Sequence, residues 1–184
     1  MCISKQRLQH GLSLVELIVS IVIISTAVAG VLGVLILTTR ASSDPLLQKQ
    51  ALAIAEAMLE EAQLQPFTYC DPDDPNAATA LNTAGCTTVE AIGPEAGESR
   101  TSTITPFDNV NDYHGFSMTG ISDIEGTAIS GLGAYAATVN VAAQALGTIP
   151  ASDALLVTVT VTGPGNVSVA LHGYRARYAP NALP

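Results

Sequence analysis

The chain has 184 residues, of which 48% are hydrophobic and 12% charged, with seven basic residues against sixteen acidic ones and a formal charge of −9. That length accommodates one anchor helix plus one domain of about 100–140 residues. The acidic balance excludes the usual nucleic-acid binder, because neutralising phosphates needs clustered Lys and Arg.

Met1–His10 is short, polar and basic, with Lys5 and Arg7 ahead of the apolar stretch His10–Leu37. As a helix rising about 1.5 Å per residue, that stretch is long enough to cross a bilayer core of about 30 Å. The flanking basic residues predict a cytoplasmic N-terminus and a translocated remainder. Glu16 is the anomaly, since a carboxylate inside an apolar span costs about 3 kcal/mol on insertion scales. A precursor cut after Gly11 accounts for it, because the new amine at Leu12 would meet the Glu16 carboxylate and lower the cost of both charges. Loss of Met1–Gly11 leaves five basic against sixteen acidic residues, a formal charge of −11. Two alternatives remain open: a secretory signal cut at Ala27-Val28-Ala29, and an uncleaved signal anchor.

Gly11-Leu12-Ser13-Leu14-Val15-Glu16-Leu17 resembles the cleavage and methylation signal of type IV prepilins and type II secretion pseudopilins. The resemblance implies that a prepilin peptidase cuts after Gly11 and that Leu12, where the family most often has Phe, becomes the N-methylated first residue. It also implies that Glu16 registers the helix during assembly with other pilin subunits on an inner-membrane platform, with membrane lipid as the environment beforehand. The implied location is the inner membrane of a Gram-negative cell, single-pass with the head periplasmic, and then the pilus at the cell surface.

Gly30 and Gly33 are read in two ways, as a place where the helix loosens or as small residues for close helix packing. Asp44-Pro45 is either a helix N-cap with proline at the first position or a proline inside one continuous helix. Leu47, Ala51, Ile54, Met58 and Ala62 then line one helical face, with Lys49, Glu56, Glu60 and Gln63 on the other, and Pro66 ends the segment.

Phe67–Arg100 reads as a loop region. Cys70 and Cys86 form an even pair in the exported part, and a disulfide between them would add about 3 kcal/mol; two free thiols are the alternative. Asp71, Asp73, Asp74 and Asn76 offer oxygen ligands but lack the glycine and distal glutamate of an EF-hand, so a solvated turn is expected there. Strands are predicted at Ser99–Thr105, around Tyr135–Ala143, at Val157–Thr162 and from Val167 towards Tyr178, with a hairpin loop at Gly163-Pro164-Gly165-Asn166 and a loop over Gly120–Gly133.

The expected fold is therefore α+β. A long pilin-like hydrophobic helix continues into, or is followed by, an amphipathic helix packed on an antiparallel sheet of about four strands. The boundaries are residues 1–11 for the leader, 12–39 for the transmembrane and assembly helix, 40–65 for the amphipathic helix and 66–184 for the disulfide-containing, β-rich head.

Phe107, Asp108, Asp112, Tyr113, His114 and Phe116 concentrate aromatics and acids in a chain otherwise poor in rings. They are candidates for a surface or binding loop, or for a structural loop in which Phe107 and Phe116 plug the sheet edge. Together with Ala51–Phe67, this segment resembles the minor pilin-like proteins of mannose-sensitive haemagglutinin (MSHA) pilus biogenesis, the MshD type. No catalytic constellation is read. Gly115–Gly120 is one residue too long for a GxSxG elbow, and nothing in the spacing brings His114 or His172 to Ser117. Cys70, Cys86, His114 and His172 do not have zinc-ligand spacing. Neither a cofactor nor a metal is expected. A structural pilus subunit is the expected function, with a type II secretion pseudopilin or an adhesive tip module as alternatives.

Overall fold

The computed structural model describes residues 13–183, with the side chains of residues 37–44 left aside. Helix α1 is Leu14–Leu64 and carries Pro45 within it. Two compact units divide between Ser43 and Asp44. In the first unit the helix is unbroken through Gly30 and Gly33, and a Cβ at either position would meet open space. A cost of up to about 1 kcal/mol per glycine does not interrupt a helix whose neighbours are strongly apolar and fully hydrogen-bonded along the backbone. Pro45 is flanked by helical residues on both sides, so proline inside a helix describes this position.

In the second unit the helical stripe is buried as its period requires: Ala51, Ile54, Ala55, Met58 and Ala62 face the core, with Leu47 and Leu59 packed at its margin. Gln63, expected on the polar face, instead donates from Nε2 to the Tyr174 carbonyl at 3.2 Å. Gly173 leaves the room for this, since a Cβ there would collide with the Gln63 amide and approach Leu59.

Four antiparallel strands follow in the order β1-β2-β3-β4: Ser117–Thr119, Ala136–Ala143, Ala154–Gly163 and Val167–Ala176. Val139 pairs with Val159, Val141 with Val157 and Val161 with Val169. The inward row of β2 and β3 therefore forms a continuous β-branched surface against the helix. Each fully buried valine contributes about 1.5–3 kcal/mol of transfer free energy. Thr158, Thr160 and Thr162 occupy the alternate positions on β3. The inward alternation on β2 stops at Val141, and Ala143 is exposed. Pro164–Asn166 joins β3 to β4, with Gly165 and Asn166 at φ 69° and 60°, the left-handed region that Gly and Asn tolerate best.

The first strand departs from expectation. Ser99–Thr105 is a closed turn: the Ser102 hydroxyl accepts from the Thr105 N–H at 3.0 Å, and the Ser99 N–H donates to the Thr105 carbonyl at 3.2 Å. Hydroxyls so close to their own backbone compete with a ladder and win here, leaving Ile104 89% exposed. The edge strand is instead the short Ser117–Thr119, paired with Thr138–Ala136. Gly120–Gly133 is a loop, as expected, with one isolated bridge between Ser122 and Ala128.

Candidate functional site

The helix of the first unit begins at a side-chain cap. The Glu16 N–H donates to the Ser13 hydroxyl at 3.3 Å, and the Leu17 N–H donates to the Ser13 carbonyl at 3.1 Å. Ser13 thus acts as N-cap and Glu16 sits in the first turn, where a carboxylate complements the positive end of the helix dipole. Gly11 and Leu12, the expected cleavage and methylation positions, lie outside the described residues.

From Leu14 to Ile36 the helix is apolar, with mean hydropathy 2.6, and none of its side chains is buried. At about 1.5 Å per residue it spans about 34 Å, enough for a bilayer core. Its hydroxyls fold back on the backbone: Ser20 to the Glu16 carbonyl at 2.8 Å, Ser25 to Ile21 at 2.6 Å, and Thr26 to Val22 and Ile23 at 3.0 Å. Hydroxyls satisfied internally do not need water, so Glu16 is the one ionisable group on an otherwise lipid-compatible surface. A shallow groove runs along Thr26, Ala27, Gly30 and Val31, where Ala27 and Gly30 keep the helix surface low.

In the second unit the Phe107–Phe116 segment turns inward. Phe107 and Tyr113 are buried, Phe116 is half-buried, and the three rings pack edge to face at centroid distances of 5.1, 6.0 and 6.5 Å. All three rings pack with the core cluster, and none of them stands free at the surface. His114, half-buried, places Nδ1 2.8 Å from the Val141 carbonyl. His172 places Nδ1 3.0 Å from the Thr158 hydroxyl on β4's neighbour β3, while Ser117 lies on β1 at the opposite edge of the sheet. The sheet order therefore separates His172 from Ser117. Cys70 and Cys86 are joined in a disulfide that pins a small satellite core of Ala77 and Ala80.

Two groupings escape a sequence reading. Arg100, almost fully buried, grips Glu61 with both forks, Nε to Oε1 at 2.6 Å and Nη2 to Oε2 at 2.8 Å, while Nη1 donates to the Asp123 carbonyl at 2.9 Å. The Tyr113 hydroxyl donates to the same Glu61 Oε1 at 2.9 Å. Burial, then the Glu61 charge, pushes the Tyr113 phenol above its ordinary value, and the Glu61 hydrogen bonds raise Arg100. Glu61 lies beside the stripe formed by Met58 and Ala62, a position that signals only a flank.

The second grouping is acidic. Carboxylate oxygens of Asp71, Glu98 and Asp108 converge to within 4.8 Å of one another, and those of Glu90, Glu95 and Asp112 do the same. Burial is the main cause of their altered acidity, reinforced by mutual repulsion: Glu90 is pushed up to about 10, Glu98 to about 8, Asp112 to about 7 and Asp108 to about 6. Of the expected solvated turn Asp71, Asp73, Asp74 and Asn76, only Asp71 belongs to this grouping. Asp74 is buried rather than solvated, accepting from the Asn76 N–H at 2.7 Å and from the Thr88 N–H. Backbone donors hold its carboxyl below the ordinary aspartate value.

The geometry of the first unit is that of an anchor: a capped, wholly exposed apolar helix with one acid in its first turn. Residues 6–32 match the prokaryotic N-terminal methylation motif. No curated protein and no solved structure matches the chain. The motif supports a type IV pilin-like or pseudopilin subunit and implies processing by a prepilin peptidase and assembly with other pilins. Proteins carrying it are structural rather than catalytic, and an N-terminal apolar helix bearing it fits membrane anchoring. The matched span contains Gly11, Leu12 and Glu16 together with all but the last turn of the exposed helix Leu14–Ile36.

Proposed function

We propose that the chain is a structural minor subunit of a type IV pilus of the MSHA kind, cut after Gly11, N-methylated at Leu12 and assembled through its N-terminal helix. The observation that carries this reading is the 14–36 helix, exposed along its whole length, capped by Ser13 and holding Glu16 in its first turn inside the methylation motif. Before assembly the helix resides in the inner membrane, N-terminus cytoplasmic and head periplasmic. On assembly, at an inner-membrane platform, lipid around the apolar side chains is exchanged for neighbouring helices. The transfer costs little because both surroundings are apolar, so the charged end decides the register. The Leu12 amine and the Glu16 carboxylate are each costly in hydrocarbon, and their pairing within or between subunits selects the seated position.

The MSHA assignment rests on the likeness of Ala51–Phe67 and Phe107–Phe116 to the minor pilins of that system. A minor pseudopilin of a type II secretion system uses the same helix, and shearing of surface pili separates the two, since only the pilus subunit co-purifies with them. An adhesive tip role draws no support from a Phe107–Phe116 segment whose rings point inward.

Mass analysis of the N-terminus of membrane-extracted protein tests the reading. A mature chain starting at methylated Leu12 is expected, and one starting at Gly30 overturns it. Glu16→Ala should leave cleavage intact while incorporation into filaments fails. Normal incorporation of that variant would remove the charge-pairing mechanism.

A further inference from the structure

Two trios of carboxylates gather in the head, Asp71 with Glu98 and Asp108, and Glu90 with Glu95 and Asp112, drawn from beside the disulfide, from the long loop and from around the 3-10 turn Val110–Tyr113. None of the six is exposed, and Asp112 is 0% accessible. Gathering like charges away from water is costly unless a counter-charge joins them. Among the described residues the ion pairs are Arg100–Glu61 and Arg177–Asp153, and neither includes a member of this group.

Asp112 Oδ2 is fixed by the N–H groups of Asn109 at 2.7 Å and Asp108 at 3.0 Å, while its Oδ1 is buried with no hydrogen-bond partner. A ligand oxygen of that same carboxylate lies within 4.8 Å of those of Glu90 and Glu95. Both oxygens of Glu90 and Oδ1 of Asp108 are likewise buried and unpartnered. Asn111 adds a neutral donor of the same kind: its Nδ2 is anchored on the Ala91 carbonyl at 2.9 Å, next to Glu90, and its Oδ1 is buried without a partner. Buried oxygen acceptors left unsatisfied in a native fold call for a proton donor, a water or an ion, and a group this rich in charge favours the ion.

We propose that this cluster is a calcium site, centred on Glu90, Glu95 and Asp112 and bordered by Asp71, Glu98 and Asp108. The donor set is all oxygen, the preference of a hard cation, and the nearby sulfurs of Cys70 and Cys86 are committed to a disulfide. Carboxylate oxygens that all lie within 4.8 Å of one another can share one calcium ion, which takes its oxygen ligands at about 2.3–2.6 Å. Magnesium demands a near-ideal octahedron at about 2.0–2.1 Å and gives up its water reluctantly, so protein carboxylates alone suit it less than they suit calcium. The bound ion ties the disulfide loop, the 90–98 loop and the 3-10 turn together. That turn ends in Tyr113, which bonds Glu61 on the helix, so the ion stiffens the loop layer against the core.

The test uses the full chain in detergent, stripped with EGTA and followed by thermal unfolding and by calorimetric titration with CaCl2. At about 1 mM CaCl2, a level at which extracellular calcium modules bind, the unfolding midpoint of the head is expected to rise, with MgCl2 at equal ionic strength giving a smaller shift. Glu90→Gln with Glu95→Gln is expected to weaken calcium binding by at least about tenfold while melting, in EGTA, no lower than the parent, because the Glu95 charge that bears on Asp112 has been removed. Glu98→Gln, away from the central trio, serves as a second variant should the double substitution fold poorly, and is expected to weaken binding in the same direction. No calcium-dependent shift, an equal shift with MgCl2, or undiminished calcium binding in the variants overturns the proposal.

Discussion

Replacing Arg100 by methionine removes a charge while keeping most of the buried volume. The guanidinium side chain is 4% exposed and its Glu61 partner 21% exposed, so the variant leaves a carboxylate with little access to water. It also loses the two charge-assisted hydrogen bonds to Glu61; the Ser122 carbonyl loses its Arg100 donor, while the Asp123 carbonyl keeps the Gly126 N–H. Breaking a buried pair by deleting one member costs about 3–5 kcal/mol. Residual hydration of Glu61 and its remaining bond from Tyr113 favour the lower end, about 3 kcal/mol. For a unit of this size that corresponds to a fall in midpoint of about 10 °C. All five tyrosines lie in the second unit, so near-ultraviolet circular dichroism of the full chain in detergent reports on the head while the apolar helix stays folded. Combining Arg100→Met with Glu61→Gln should cost less than the sum of the two single changes by about 1–3 kcal/mol, because the second substitution neutralises the stranded charge. A single variant within about 1 kcal/mol of the parent, or strict additivity in the double variant, would refute the pairing as a stabilising unit.

Two further outcomes follow from the head. Cys70→Ser with Cys86→Ser opens a loop whose ends are 16 residues apart and should destabilise the second unit by about 3 kcal/mol, read from urea midpoints. In the parent, alkylation should add two groups only after full unfolding and reduction, and alkylation of both thiols without reductant would reject the bridge. In EGTA, stability should fall as pH rises from about 4 towards 8. Glu90, Glu98, Asp112 and Asp108 have folded-state acidities raised above the unfolded values, so the native state holds protons that the unfolded chain has released across that window. The stability these groups supply is complete below the unfolded values and is lost as pH climbs through about 6 to 8 for Asp108, Asp112 and Glu98, with Glu90 extending the decline to about 10. Midpoints that are flat or rise over pH 4–8 would contradict this assignment.

Much of the architecture is written in short-range pattern. The Ser13–Glu16 spacing, the Ala51–Ala62 stripe and the Val/Thr alternation of β3 each rest on neighbours a few residues apart, and each imposes its structure through local geometry and burial. The Gly163–Asn166 connection is legible for the same reason, since the left-handed positions of Gly165 and Asn166 belong to the residue types themselves. The edge strand β1 is not legible from pattern alone, because Ser99–Thr105 and Ser117–Thr119 have similar β propensity. Local serine hydrogen bonds claimed the first, whereas pairing with Ala136–Thr138 claimed the second.

What the sequence by itself determined is the membrane-compatible helix with its single acid, the methylation motif and the alternation that makes a helix-backed sheet, because these depend on neighbours within a turn or a pleat. Only the tertiary structure decided that Arg100 meets Glu61 across 39 residues, that the Phe107–Phe116 rings face inward, and that Glu90 and Glu95 converge on Asp112. Loop acids and an isolated arginine carry no periodicity that says which way they point. Their roles arise when the packing of distant loops removes water and leaves each charge to find a partner.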